Sequence, residues 1–301
     1  MPSSYVRLLK KNKGCENKLA KITLENVSYV YSSDTPYEIK ALDNVNVEVK
    51  EGLITGIIGH TGSGKSTFVQ LLNGLEKPSS GRVLVDGCDI WEKPKEISAV
   101  RFKVGLVMQY PEYQLFEETV REDIAYGPRN MGLDEAEIEA RIKMAARFVG
   151  LEAELLSKSP FDLSGGQKRR AAIAGIIAMK PEVLVLDEPA AGLDPMGRDE
   201  IFEGIVNYKN ETGATVIIVS HSMEDMAKFC DELIVMSHSK VVLQGSCKEV
   251  FSNGELLENV GLAIPQITKL MMTLKAKGVD VDSGIYTVKS AAEELSRLFQ
   301  S

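Results

Sequence analysis

Gly59-His60-Thr61-Gly62-Ser63-Gly64-Lys65-Ser66-Thr67 fits the pattern G-x-x-x-x-G-K-[ST] at every fixed position. The preceding Gly52 to Ile58 is a short apolar run bounded by glycines, which predicts a buried strand. Phe68, Leu71, Leu72 and Leu75 then recur at helical spacing, so the loop joins a strand to a helix. Glycines let successive backbone N–H groups converge on phosphate oxygens, and the start of the helix adds positive potential. Lys65 is placed to reach the β- and γ-phosphates, and the Ser66 hydroxyl to ligate Mg²⁺. An ordinary glycine-rich turn would not need this strand–loop–helix context.

Working outward, Val183-Leu184-Val185-Leu186 reads as a second buried strand, and it runs into Asp187-Glu188. Two adjacent carboxylates at the end of an apolar strand are costly unless they face a polar site. Their side chains leave the chain on different faces, so their tasks differ: Asp187 for the Mg²⁺ shell, Glu188 to polarise an attacking water. A helix-capping pair is the plain alternative. The segment Leu163-Ser164-Gly165-Gly166-Gln167 adds a further glycine-rich string, which a phosphate loop alone leaves unexplained.

Taken together, the phosphate loop, Gln109, Leu163 to Gln167, Asp187-Glu188, Gly192-Leu193-Asp194 and His221 stand in the order and spacing of an ABC-type ATPase subunit. The chain resembles that family over about residues 20–252. The resemblance implies a P-loop NTPase (RecA-like) α/β core with an antiparallel β flank, an inserted helical subdomain and a helical C-terminal extension. It also implies ATP and Mg²⁺ as ligands, with Ser66, Gln109 and Asp187 at the metal. In the family's terms, Gly59, His60, Thr61, Gly62, Ser63, Gly64, Lys65, Ser66 and Thr67 cradle the phosphates. Tyr31 resembles the aromatic that stacks on adenine, with Tyr29 and Tyr37 nearby as substitutes. Gln109 resembles the glutamine that senses Mg²⁺ and the attacking water. Ser164, Gly165, Gly166 and Gln167 resemble the signature that meets the γ-phosphate of ATP held by an opposite subunit. Asp194 lies in what resembles the cross-subunit loop, and His221 resembles the switch histidine; Glu188, His221 and Gln109 form the catalytic set.

A narrower likeness is to the energy-coupling factor (ECF) branch. It rests on Gln109 to Val120, on Gly127-Pro128-Arg129-Asn130, and on the tail Val260 to Leu270, which resembles the extension of the second of two paralogous ATPase components. Ala190 and Tyr110 depart from common family residues without removing a charge or a ligand. The resemblance implies a head-to-tail dimer with the paralogous ATPase, a homodimer being possible. It also implies docking on a membrane T component, indirect contact with substrate-binding S components, and prokaryotic uptake of vitamins or other micronutrients. Another ABC importer, such as a cobalt or nickel system, is the alternative. A soluble chromosome-maintenance ATPase would need a long heptad insertion between Lys65 and Ser164, and a translation ATPase usually carries two cassettes.

The division expected is an N-terminal extension over 1–20, an ATPase domain over 21–252 with its helical insert at about 111–165, and a C-terminal extension over 253–301. Ile138, Ile142, Ala145 and Val149 share one face within the insert. Ile267, Leu270, Met271 and Leu274 form one stripe in the tail, and Ala291, Leu295, Leu298 and Phe299 another; both read as intrachain packing faces. A length of 301 with 44% hydrophobic residues supports a large core. A formal charge of −8 argues against nucleic acid as a partner. The basic stretch Arg7 to Lys21 reads as a solvated terminus. No apolar run reaches membrane-spanning length and no secretory signal is visible, so a peripheral position on the cytoplasmic side of the cell membrane is expected. Cys15, Cys88, Cys230 and Cys247 are scattered, which reads as reduced thiols.

Overall fold

The structure, a computed structural model, describes residues 20–299. Two sheets organise it. Strands β1 (Ala20–Tyr31), β2 (Ile39–Lys50), β4 (Ser80–Val85) and β5 (Cys88–Asp89) form an antiparallel sheet in the order β2-β1-β4-β5. Strands β3 (Ile54–Gly59), β6 (Val104–Val107), β7 (Val183–Asp187), β8 (Thr215–Val219), β9 (Glu232–Ser237) and β10 (Lys240–Ser246) form the second, in the order β10-β9-β3-β8-β7-β6. It is parallel except for the β9–β10 hairpin. This is the α/β core with an antiparallel flank that the motifs imply.

The central strands are buried at every position and largely apolar because both faces are covered. On β7, Val183 and Val185 pack toward the antiparallel sheet and helix α1 (Lys65–Leu72), with Ile57, Ile217 and Ile234. Leu184 and Leu186 pack on the opposite face with the helical insert. Burying each such side chain is worth roughly 1.5–3 kcal/mol. The alternation continues into the site: Asp187, next on the Val183–Val185 side, faces α1.

Helix α2 (Ile97–Lys103) leads into β6, and the insert then contains a 3₁₀ turn over Pro111–Gln114, α3 (Val120–Asn130) and α4 (Glu135–Phe148). Ile138, Ile142, Ala145 and Val149 are all buried, as their spacing requires. Thr119 and Asp134 cap α3 and α4. The chain leaves the insert through α5 (Gly165–Ile177) and continues through α6 (Pro195–Thr212) and α7 (Met223–Phe229). The tail adds α8 (Cys247–Ser252), α9 (Gly254–Asn259), α10 (Gln266–Ala276) and α11 (Val288–Phe299). Met271, Val281 and Ala291 form a small separate core there, with Ile267, Leu274, Leu295 and Leu298 against it. No helix among the described residues is long and apolar enough to cross a membrane.

Four expectations need correcting. Leu75 lies beyond α1, which stops at Asn73 and Gly74, the latter at φ 66°, and its side chain is exposed. Leu270 is exposed rather than part of the α10 packing face, and buried Thr268 takes a place in it. Lys21 is not solvated: it is buried at the start of β1, 2.5 Å from Glu182 and 3.0 Å from Asp86. Cys230 and Cys247 are free and buried, whereas Cys88 is disulfide-bonded, against the expectation of reduced thiols throughout. The remainder of the basic stretch, with Cys15 and the 1–19 part of the N-terminal extension, lies outside the described residues, as does the side chain of Phe299.

Candidate active site

The phosphate loop leaves the carboxyl end of β3 and enters α1. Two of its glycines are imposed by close packing. A Cβ on Gly59 would stand 2.4 Å from the Met236 carbonyl oxygen, and one on Gly64 would stand 2.3 Å from that of Ala41. Gly64 also takes φ 101°, a left-handed conformation that favours glycine. The Lys65 ammonium lies back along the loop and donates to the carbonyls of Gly59 (2.7 Å) and His60 (3.0 Å). Ser63 is fully buried, its Oγ without a hydrogen-bond partner among the described residues. His60 makes a 2.8 Å contact from Nδ1 to the Thr61 carbonyl and packs its ring 5.1 Å from that of His238. Tyr31 reaches the loop as well, its hydroxyl 3.0 Å from Thr67 Oγ1. Tyr29 instead turns to Glu76, at 2.5 Å.

The carboxylates stand at the end of β7, which pairs in register with β8 through Asp187 and Val219. Asp187 is buried and hydrogen-bonded to Ser66. Burial raises its pKa, opposed by that bond and by Lys65. Glu188 leaves the strand geometry at φ 52°, a conformation that costs a residue with a Cβ about 1–3 kcal/mol. Its N–H donates to the Val219 carbonyl at 3.0 Å, which holds the turn. Burial pushes the Glu188 carboxyl up to about 7, and the neighbouring Asp187 adds to this while Lys65 opposes it. His221, two residues past β8, brings Nε2 to 3.4 Å from Glu188 Oε1. Burial and the Lys65 charge lower the pKa of this imidazole, keeping it neutral at pH 7. Burial likewise lowers that of Lys65, against Glu188 and Asp187.

Gln109 follows the end of β6, the strand beside β7, and is exposed. Hence the phosphate loop, Gln109, Asp187, Glu188 and His221 all stand at the carboxyl ends of adjacent parallel strands, where open α/β sheets bind ligands. The signature is built differently. Ser164 caps α5 with a reciprocal capping box: Gln167 N–H donates to Ser164 Oγ, and Ser164 N–H donates to Gln167 Oε1 at 3.0 Å. Ser164 and Gly165 are exposed, and a Cβ on Gly165 would meet nothing within 4 Å. Asp194 caps α6 by accepting from Gly197 N–H at 2.7 Å and is also exposed. Phe161 and Met196, beside these caps, leave most of their apolar surface open at 72% and 74% exposure.

Two arginine braces escaped the sequence reading, Arg169 buried and Arg198 partly exposed. Arg169 donates from Nε and Nη2 to the two Glu112 oxygens, both at 3.1 Å, and from Nη1 to the Ala191 carbonyl. Arg198 donates to Asp225 Oδ1 and to Ser222 Oγ (2.7 Å), joining α6 to the residue after His221. One signal was available: Arg169 stands four residues before Ile173 and eight before Ile177, on the buried face of α5.

The sequence profile described as ABC transporter matches residues 42–191. The energy-coupling factor transporter ATP-binding protein EcfA2 of Clostridium tetani (strain Massachusetts / E88) is 54% identical over 281 residues, spanning 93% of this chain and 98% of that protein. The protein of the same description from Clostridioides difficile (strain 630) is 51% identical over 279 residues, 92% of this chain and 97% of that protein. Among solved structures, cbiO1 from Clostridium perfringens, described as part of the ABC transporter complex cbiONQ, superposes with a TM-score of 0.72 at 42% identity, covering 85% of this chain and all of that one. The ATP-binding cassette MJ0796, a dimer bound to ADP and Pi in a post-hydrolysis state, gives 0.69 at 29% identity over 75% of this chain and 98% of its own. The chain belongs to the ATP-hydrolysing subunits of the ABC transporter family, in their energy-coupling factor branch.

Proposed function

We propose that this chain is the second ATPase component of an ECF-type uptake transporter, working head to tail with a paralogous ATPase on the cytoplasmic face of the membrane. The observation that carries this reading is the split built into one chain. The phosphate loop, with Ser63 and Lys65 buried, lies with its acid, its base and an exposed imidazole at the carboxyl ends of the strands, while the Ser164 signature cap is exposed. In this reading Ser164, Gly165, Gly166 and Gln167 serve ATP held by the partner, and Asp194 contacts the partner across the interface. The ATPase unit spans 21–252, with its insert at 111–165, and the tail from 253 is an extension.

Mg²⁺ suits the acid beside α1, because Asp187 is buried and already bonded to Ser66; bound there, with Gln109 near, it would neutralise charge on phosphate oxygens. Lys65 exchanges its bonds to loop carbonyls for the β- and γ-phosphates of the substrate, and Tyr31 lies against the adenine. Glu188, with a pKa near the working pH, takes a proton from the attacking water. The His221 backbone N–H donates to the Glu188 carboxyl and helps to hold it, while the neutral imidazole has one N–H to offer the transferred group. Positioning and charge supply most of the rate in such a transfer.

Support for docking on a membrane T component, and through it on S components, comes from an aromatic face directly after Gln109. Tyr110, Tyr113 and Phe116 are 50%, 84% and 59% exposed, and Phe116 stacks edge-on against Tyr126 at 5.0 Å. Leu115 is partly buried against the main core and contributes mainly to packing. Phe116→Glu is therefore the sharper probe. We expect this variant to keep its melting temperature and nucleotide binding but to be lost from the membrane fraction in which the wild-type chain co-purifies with its partners. Undiminished co-purification would remove this face from the docking surface, and a wild-type chain found without any membrane partner would overturn the transporter reading.

A further inference from the structure

Between the aromatic face and the catalytic carboxylate runs one continuous set of bonds. Tyr110 adopts φ 58° and opens the 3₁₀ turn Pro111–Gln114, closed by a bond from Tyr113 N–H to the Tyr110 carbonyl. Glu112 lies in this turn, between the two most exposed tyrosines of the face, and points inward. Its carboxylate receives the Arg169 guanidinium in a fork, two parallel bonds of 3.1 Å. Arg169 belongs to the signature helix α5, five residues after the Ser164 cap, and its side chain is only 3% exposed. The third arm of the same guanidinium binds the carbonyl of Ala191, whose own N–H donates to the Glu188 carbonyl at 3.2 Å. The bonds of Arg169 run to Glu112 and Ala191, and the mechanism above uses neither Arg169 nor Glu112.

We propose that Arg169 and Glu112 are a positioning pair. They lock the turn after Gln109, the signature helix and the turn after Glu188 into one register, so that displacement of the aromatic face moves the hydrolytic groups together. The fork matters as much as the charge. A planar guanidinium holds two oxygens and a carbonyl in fixed directions, whereas an ammonium is a rotatable point charge. Because its bonds join the turns after Gln109 and Glu188 and none of them reaches the phosphate loop, its loss acts on turnover rather than on nucleotide affinity. This inference rests on the ATPase reading of the site, so Glu188→Gln is measured alongside.

The test is steady-state ATP hydrolysis by the intact ATP-hydrolysing assembly, together with titration of a fluorescent ATP analogue. The variants are Glu112→Gln, Arg169→Lys, Arg169→Gln and the Arg169→Gln/Glu112→Gln double. We expect Arg169→Gln to lower kcat at least ~10-fold, as misplacement from a distance does, with KM and analogue affinity within about threefold of wild type. Arg169→Lys should fall between it and wild type. The double variant should be no more than about twofold slower than Arg169→Gln, because coupled partners are not additive. Unchanged kcat in both Glu112→Gln and Arg169→Lys would overturn the proposal, as would losses that multiply in the double variant or a parallel rise in KM. If Arg169→Gln does not fold, Glu112→Gln, which keeps the side-chain shape, decides with Arg169→Lys. A fully active Glu188→Gln would instead remove the catalytic reading and leave the pair without a reaction to position.

Discussion

The phosphate loop and the signature cap are both glycine-rich turns at the start of a helix, yet the fold treats them in opposite ways. Around Gly59 and Gly64 the backbone is packed so closely that a single Cβ would collide with a carbonyl oxygen, and Lys65 is buried with its donors engaged. A Cβ on Gly165 would meet nothing within 4 Å and one on Gly166 only the Leu193 side chain at 3.3 Å, and the capping box holds the turn. One glycine pair is required by what is already inside the chain. The other is open to something that approaches from outside. The difference teaches that a motif's composition gives its chemistry, while its packing says whether the chain itself supplies the ligand environment.

If that contrast is correct, substitutions on the closed side act on the chain's own nucleotide, and the largest effect falls at the carboxylate. Glu188→Gln should slow hydrolysis by ~10²–10⁴-fold while leaving binding of a fluorescent ATP analogue intact, because the proton acceptor is lost and the cradle is not. Activity within a few-fold of wild type would remove Glu188 as the base. Lys65→Ala should weaken analogue binding itself by roughly 10–100-fold, the equivalent of about 1.5–3 kcal/mol for a charge-assisted bond. Unaltered affinity would mean that the loop amides alone hold the phosphates.

A smaller effect follows from the carboxyl's pKa. With Glu188 raised to about 7, the ionised base grows as pH rises through that value, so turnover at pH 8 should exceed that at pH 6 by roughly tenfold, and Glu188→Gln should flatten the profile. The same shift costs stability. The unfolded carboxyl ionises near its ordinary 4.5 while the folded one keeps its proton to about 7, so the penalty grows across that window and is complete above it. Glu188→Gln should accordingly raise the melting temperature of the nucleotide-free protein at pH 8 and not at pH 4. An equal shift at both values would mean that the carboxylate is not destabilising.

The closed half was largely legible in the sequence because its parts are local. A strand, a loop and a helix appear in one string, and an apolar strand ending in two acids needs no distant partner to be read. What stayed hidden depends on pairing across the fold. Glu112 and Arg169 are 57 residues apart, and Arg198 and Asp225 are joined only once α6 and α7 pack. Charge alone misled at Lys21, which counted as one more basic residue of a tail but is buried against Glu182 and Asp86. Periodicity misled at Leu75, because Gly74 ends the helix before that position, and at Leu270, where an apolar residue faces solvent. In each case the string gave the residue's chemistry, and the choice of neighbour was a tertiary event.

The central claim is that the open half completes a site on another subunit. It is tested most directly by measuring specific ATPase activity while the assembly is diluted, with oligomeric state followed in the same samples, for wild type and Ser164→Arg. The account predicts that wild-type activity per chain falls in step with dissociation, and that Ser164→Arg binds the ATP analogue with unchanged affinity yet loses the share of turnover that belongs to the partner's ATP, whose site its signature completes. Activity per chain that stays constant down to a demonstrated monomer, or a Ser164→Arg protein that turns over at the wild-type rate, would contradict it.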